Sequence, residues 1–307
     1  MKIIVTGGAG FVGSHLVELL IKKKHYPIII DNLNSGSYSN IKHFIDSKKA
    51  KFIKCDIRNY KKIMHIPKAD AIIHLAAIAS VVESIDNPTF VNDVNVNGTL
   101  NMLEFCRKKK IKKFVFTSSA AIYGDYEKNI SETSPTIPTT VYGSTKLTGE
   151  QYCKIYSNLF GINITCLRPF NIYGLRQNDA YAGVISKFMD KLNENQSPII
   201  FGNGKQTRDF IHVDDVARAF YYALKFKKTK FTVFNLATGK STSINELAKI
   251  FLLATQKLNL KPIHKKPISG VVIHNSTNPT KIKQHLDFIS NIDLTDGITN
   301  FVNYNTS

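Results

Sequence analysis

Apolar residues along this chain come in short continuous runs, separated by longer stretches with helical spacing. The runs lie at 3–5, 27–31, 52–55, 71–74, 114–117 and 164–167. A strand that is apolar without alternation is covered on both faces. Between the runs, 11–24 places Leu16, Leu19 and Leu20 on one side of a helix, and 91–110 and 142–159 show similar spacing. Strand and helix alternating from the first residue predict an α/β fold with a doubly wound parallel sheet. The alternation fades after Pro169. Beyond it the pattern predicts helices over 182–193, 213–225 and 244–256, with short strands at 198–201 and 231–235. The chain therefore divides into a larger unit over 1–169 and a smaller α/β lobe over 170–307, and it is free to cross between them.

Composition adds limits to this picture. The 307 residues are 43% hydrophobic and 21% charged, ordinary values for a globular protein. Residues 1–6 meet Gly7 at once, and no apolar stretch has membrane-spanning length, so a cytoplasmic protein with no membrane partner is expected. Cys55, Cys106, Cys153 and Cys166 show no CxxC spacing and no neighbouring histidine cluster. Buried free thiols are expected, and no metal. The net charge is +18, with lysine clusters at 22–24, 108–113, 225–230 and 261–266. They fall near the ends of predicted helices, where lysine complements the dipole. The expectation is solvated surface with a mild pull on anionic substrates. No recognition motif accompanies the charge, so no nucleic-acid partner is expected.

The chemistry begins at Gly7-Gly8-Ala9-Gly10-Phe11-Val12-Gly13, between the first strand and the first helix. The segment satisfies GxGxxG, and the flanking strand and helix supply the context that this motif requires. Glycine lets the backbone approach a pyrophosphate, and the helix N-terminus offers unpaired N–H groups. A Rossmann-type site follows from 1–169. Asp31 ends the second strand, where a carboxylate binds the adenosine ribose and repels a 2′-phosphate, which favours NAD over NADP. The alternative is that Asp31 and Asn32 only start a turn. Asp56 follows the third strand and either faces adenine or caps a helix.

Tyr142 and Lys146 are one helical turn apart. A nearby ammonium stabilises tyrosinate, so Tyr142 is a candidate acid/base at a sugar hydroxyl. YxxxK alone is common on surface helices. Here Thr117-Ser118-Ser119-Ala120-Ala121 also follows an apolar strand, at the end where ligands bind open α/β sheets. Ser119 is placed to orient the reacting oxygen, although strand-end capping explains a single serine equally well.

Together these segments resemble the extended short-chain dehydrogenase/reductase family, the NAD-dependent epimerase/dehydratases, closest to their UDP-glucose 4-epimerase branch. The resemblance rests on 6–15, Leu75-Ala76-Ala77, Asn95-Val96-Asn97-Gly98-Thr99, the Ser119 segment and Tyr142/Lys146. It extends through 168–174 and 207–215 to about residue 285. It implies an isomerase that oxidises sugar C4 transiently with bound NAD. Ser119, Tyr142 and Lys146 would be catalytic. Gly7, Gly10, Phe11, Val12, Gly13, Asp31, Asn32, Asp56, Ile57, Leu75, Ala76, Ala77, Asn97, Tyr142 and Lys146 would hold the cofactor. Asn171 and Arg208 would hold the diphosphate of a nucleotide sugar, UDP-linked by this resemblance. Ion pairing of Arg208 with Asp209, and a turn role for Asn171, are the plain alternatives. A homodimer built on the helices over 91–110 and 142–159 is also implied.

Two departures matter. The Asp-Glu pair of the related 4,6-dehydratases is replaced by Ala120-Ala121, which ranks dehydration below epimerisation. The late arginine and Gly-Asp of the epimerases are missing: Ile268 and Val271 stand there beside Gly270, with Lys265 or Lys266 as substitute charges and Asn275 near the sugar end. Uronate epimerases, decarboxylases and a non-catalytic NAD- or nucleic-acid-binding regulator are the rival readings.

Overall fold

The computed structural model describes residues 1–125, 130–177, 183–227, 230–267 and 274–306. Strands β1 (Lys2–Thr6), β2 (Tyr26–Asp31), β3 (Lys51–Lys54), β4 (Ala71–His74), β5 (Lys113–Thr117) and β6 (Asn163–Pro169) follow the apolar runs closely. Short strands β7 (Asn171–Tyr173), β8 (Ile199–Phe201) and β9 (Thr207–His212) come next. They are followed by β10 (Phe231–Leu236), β11 (Ser241–Ser243), β12 (Ile263–Lys265) and β13 (His274–Asn275). One seven-stranded sheet has the order β10-β6-β5-β4-β1-β2-β3, with every neighbour parallel. The order reverses between β1 and β4, which opens a crevice at their C-terminal ends.

Both faces of the sheet are covered. Ile3 and Val5 pack with Leu16, Leu20 and Phe220 on one side. Ile4 and Ile72 pack with Phe105, Phe114 and Cys153 on the other. All four cysteines are free and buried. A separate core of Ile185, Phe188, Leu247, Phe251 and Phe301 supports the later segments.

The chain crosses back after the smaller lobe: β10 lies beside β6 in register Phe231↔Ile164 to Leu236↔Pro169. The helix Val213–Lys225 before it buries Val216, Ala219, Phe220 and Ala223 against the main sheet. A crossover helix that returns the chain to one parallel sheet explains this, with its apolar face packed on the sheet beside Leu16 and Leu20 of the first helix. The helix expected over 91–110 is real but interrupted: Pro88–Asn92, a π turn at Asp93–Asn97, then Gly98–Lys108. Among the described residues no helix is long and apolar enough to cross a membrane, and no cluster of ligands could hold a metal.

Candidate active site

A cleft of about 1520 Å³ runs from the glycine loop to the second lobe. Its first wall is built by backbone. Gly7 has φ +69°, and a Cβ there would stand 2.8 Å from Ala76 N. A Cβ on Gly13 would overlap Gly7 O. Gly10 caps the helix Phe11–Lys22 with no side-chain bond, so the first-turn N–H groups stay available to an anion. Gly7, Gly10, Phe11, Val12 and Gly13 line this end, with Asp31, Asn32, Asp56, Ile57, Leu75, Ala76 and Ala77.

Asp31 is 8% exposed, accepts from Ala9 N at 3.0 Å and Leu33 N at 2.8 Å, and is pushed up by burial. It therefore makes its turn and still faces the cleft, with lone pairs left for ribose hydroxyls. Asp56 is held below the usual carboxylate range by hydrogen bonds from Arg58. Among the described residues no lysine or arginine lines this end of the cleft, and Arg58 beside it is tied to Asp56 and Asp93. Such a wall suits a dinucleotide with a free 2′-hydroxyl and opposes a 2′-phosphate. The residues present fit NAD.

Three expected cofactor contacts, Asn97, Tyr142 and Lys146, do not line the cleft, and Asn97 points away from it. Asn97 is exposed and donates to Asp93 Oδ1 at 2.8 Å. Two residues apart on a helix means roughly opposite faces, so only one asparagine of Asn95-Val96-Asn97 can point inward. That one is Asn95, 2% exposed. It accepts from Ile78 N at 2.8 Å and donates to Ile78 O and Thr145 Oγ1, both at 3.0 Å. It ties the cleft residue Ile78 to the helix that carries Tyr142.

That helix, Val141–Phe160, starts at Thr140, whose hydroxyl accepts from Gly143 N at 3.0 Å. Tyr142 lies in its first turn. Lys146 is 4% exposed, donates to Thr117 O at 2.9 Å, and holds Nζ 5.9 Å from the centre of the Tyr142 ring. Ser119 accepts from Ala121 N at 3.1 Å, and its hydroxyl beside the Tyr142 phenol favours the ionised form of that phenol. So Ser119, Tyr142 and Lys146 come together at the C-terminal end of β5. They are not themselves on the cleft wall. They adjoin it through Asn95 and Ile78, and through Ala120, which packs with the cleft residue Phe170.

The ionisation differs from the sequence expectation. Burial pushes the Tyr142 phenol up, opposed by the Ser119 hydroxyl, and burial pushes Lys146 down to about 8. Desolvation disfavours both charges and outweighs the attraction expected between them.

The far end of the cleft is cationic, lined by Lys205, Arg208, His264 and Lys265. Arg208 donates to Thr207 O at 2.8 Å, and among the described residues no carboxylate pairs with it. Asp209, the alternative partner, is fully buried and bound by Thr238 and Gly239, with burial raising it to about 6. Asn171 lines the cleft and donates to Asp209 O at 3.0 Å. Lys266 is not on the wall. Ile268, Gly270 and Val271 lie outside the described residues. Asn275 is placed by backbone alone, opposite Arg208 in β13.

Sequence reasoning missed Lys205 and the buried pair behind the site. Arg168 donates to Glu150 at 2.8 and 2.6 Å and to Tyr123 Oη at 2.7 Å, joining the Tyr142 helix to the Ser119 segment.

The model of the NAD dependent epimerase/dehydratase family matches residues 3–237. A relative from Methanocaldococcus jannaschii is 42% identical over 98% of this chain and 97% of its own length. The structure of a UDP-glucose 4-epimerase from Thermotoga maritima, with UDP-glucose, superposes with TM-score 0.94 at 34% identity, covering 100% of this chain and 99% of that one. A UDP-N-acetylglucosamine 4-epimerase from Methanobrevibacter ruminantium, in complex with UDP-N-acetylmuramic acid, gives 0.92 at 32%, covering 99% and 98%.

Proposed function

This chain belongs to the NAD dependent epimerase/dehydratase family, and from that premise we propose that it is a nucleotide-sugar 4-epimerase acting on a UDP-linked hexose. One observation carries the reading. A Ser119–Tyr142–Lys146 cluster adjoins a cleft that is built for a dinucleotide at one end and is cationic at the other.

When bound, NAD supplies the acceptor and then the donor of the C4 hydride. Tyr142 takes the C4 hydroxyl proton as that hydride leaves, and returns it when the hydride comes back to the other face of the 4-keto sugar. Ser119 holds the C4 oxygen within reach of Tyr142. Lys146 stabilises the phenolate and holds the cofactor ribose. The first turn of the helix adds its positive dipole end to the same charge. Arg208, Lys205 and Asn171 hold the diphosphate, with the Arg208 fork matching phosphate oxygens. Residues 1–169 with the returning segment 213–236 carry NAD, and the rest of 170–307 carries the sugar nucleotide.

Ile155, Leu159 and Phe160 are 48%, 70% and 39% exposed on the Tyr142 helix, a face that fits a homodimer paired through this helix. A cytoplasmic location fits the four free thiols. The deciding experiment incubates the NAD-loaded protein with UDP-glucose, UDP-N-acetylglucosamine and UDP-glucuronate, and separates the products. C4 epimers are expected from at least one sugar. Tyr142→Phe should cut the rate by about 10²–10⁴ with NAD still bound. Dehydrated or decarboxylated products, or a fully active Tyr142→Phe, would sink the proposal.

A further inference from the structure

In a doubly wound sheet, the N-terminal ends of the parallel strands and the C-terminal ends of the crossover helices meet at one end of the molecule, opposite the cleft. Here that end is dense in lysine. Lysines at 22–24 close the first helix, Lys48 and Lys49 follow the helix Lys42–Asp46, lysines at 108–110 close Gly98–Lys108, and Lys225 ends Val213–Lys225 with Lys227 just beyond it. The segments at 22–24, 48–49 and 225 are neighbours in space, and 108–110 lies at the same end across the sheet. Lys23 and Lys225 lie over the same Tyr221 ring, at 5.9 and 4.3 Å. Lys2, Lys22, Lys24 and Lys49 line one shallow depression with Met1 and Tyr26. Of the acids on these turns, Asp70 is bonded to Lys2 N and Asp46 to Lys42.

A second observation is independent of the charge count. Lys24, Lys48 and Lys110 have φ of 61°, 56° and 55°. Each closes its helix by donating its N–H to Ile21 O, Ile45 O or Arg107 O. Glycine or asparagine is the usual residue at this left-handed position, and lysine there costs backbone energy. All three are exposed. Three separate helix ends thus give up a glycine cap, and each places an ammonium on the same face. Asn195 and Gln256 close helices of the second lobe with the same left-handed turn, so what sets these three turns apart is the exposed ammonium that each carries at one end of the sheet.

We propose that this lysine face docks the protein on an anionic lipid bilayer surface. The partner is a diffuse charged plane for three reasons. The face spans six strand spacings, about 29 Å, wider than a groove contact. It is made of helix C-termini, whose dipoles oppose phosphates brought against the backbone, so contact runs through long lysine arms. Met1 and Tyr26, 55% and 38% exposed among the lysines, are suited to the headgroup boundary. Nucleic-acid docking has no comparable support, because Arg107, the arginine on these turns, is held by Glu104. The cleft opens at the other end, so a docked protein keeps access to its substrate. The lysines read from sequence as solvated surface, with no membrane partner, here form one docking surface.

The test is flotation of the full chain with phosphatidylcholine vesicles, with and without phosphatidylglycerol, beside a duplex DNA binding assay at the same salt. Binding is expected only to the anionic vesicles, and high salt should abolish it. The triple variant Lys24→Gly, Lys48→Gly, Lys110→Gly should weaken vesicle binding on the order of 100-fold, roughly fivefold per lysine. Its melting temperature should rise, because glycine relieves the left-handed strain. The rise separates lost docking from lost folding. Equal binding to neutral vesicles, tighter binding to DNA than to anionic vesicles, or full vesicle affinity in the triple variant would overturn the proposal.

Discussion

Replacing Lys146 by methionine tests the active-site chemistry most directly, since it removes the charge and keeps most of the volume. Nζ stands 5.9 Å from the Tyr142 ring centre, and Lys146 is 4% exposed. At about 6 Å and an effective dielectric of about 20, an ammonium and a phenolate attract by about 2.8 kcal/mol. That is a factor of about 100 in the ionised fraction of Tyr142. If phenolate is the base, Lys146→Met should lose about 100-fold in kcat at neutral pH. Its rate should climb with pH until the phenol ionises unaided. The native enzyme should behave in the opposite way on its alkaline side. Burial holds Lys146 down to about 8, so raising the pH through 8 discharges the ammonium and removes its support. The assay is steady-state sugar turnover against pH, with NAD occupancy measured separately, because Lys146 is also assigned to the cofactor ribose. A variant within threefold of native at neutral pH would refute the electrostatic argument. So would a loss that does not shrink as pH rises, or one fully explained by absent NAD.

Two further outcomes follow from the packing. Glu150→Gln leaves Arg168 buried and without its carboxylate, with the two side chains 4% and 6% exposed. Breaking such a pair costs about 3–5 kcal/mol, so denaturant unfolding should show a loss in that range. A loss under about 1 kcal/mol would mean that water reaches the site. Gly13→Ala puts a methyl into Gly7 O and Gly8 Cα, both backbone. A backbone clash of this kind costs about 1–3 kcal/mol. Because the strain falls on the pyrophosphate loop, NAD affinity measured by titration should fall with stability, and unchanged affinity would show that the loop is not the cofactor site.

The sequence reading and the structure part company where two residues, or two energies, compete. β1, β4, β5 and β6 were legible because a strand covered on both faces is mostly apolar, whereas the edge strand β3, Lys51–Lys54, shows only its two central apolar residues. β10 is mostly apolar too, but apolar runs say nothing about sheet order, and the intervening β7 to β9 hid its return beside β6. The glycine loop was legible because its demands are steric and local. Asn95 and Asn97 carry equal signals in sequence, and only the phase of the helix, with its π turn, decides which one faces Ile78. The lysines at 24 and 110 fall where the predicted helices end, but their left-handed backbone was not legible, because that conformation is usually read from glycine. The Tyr142–Lys146 spacing correctly names two neighbours, yet the sign of the phenol's shift depends on how much water the fold removes. Burial moves both groups toward neutrality, so the phenol needs a further favourable contact before it ionises. A sugar hydroxyl donating to the phenolate oxygen is such a contact. Its arrival can therefore move Tyr142 toward the charged form at the moment the base is needed, and the motif alone could not have shown that dependence.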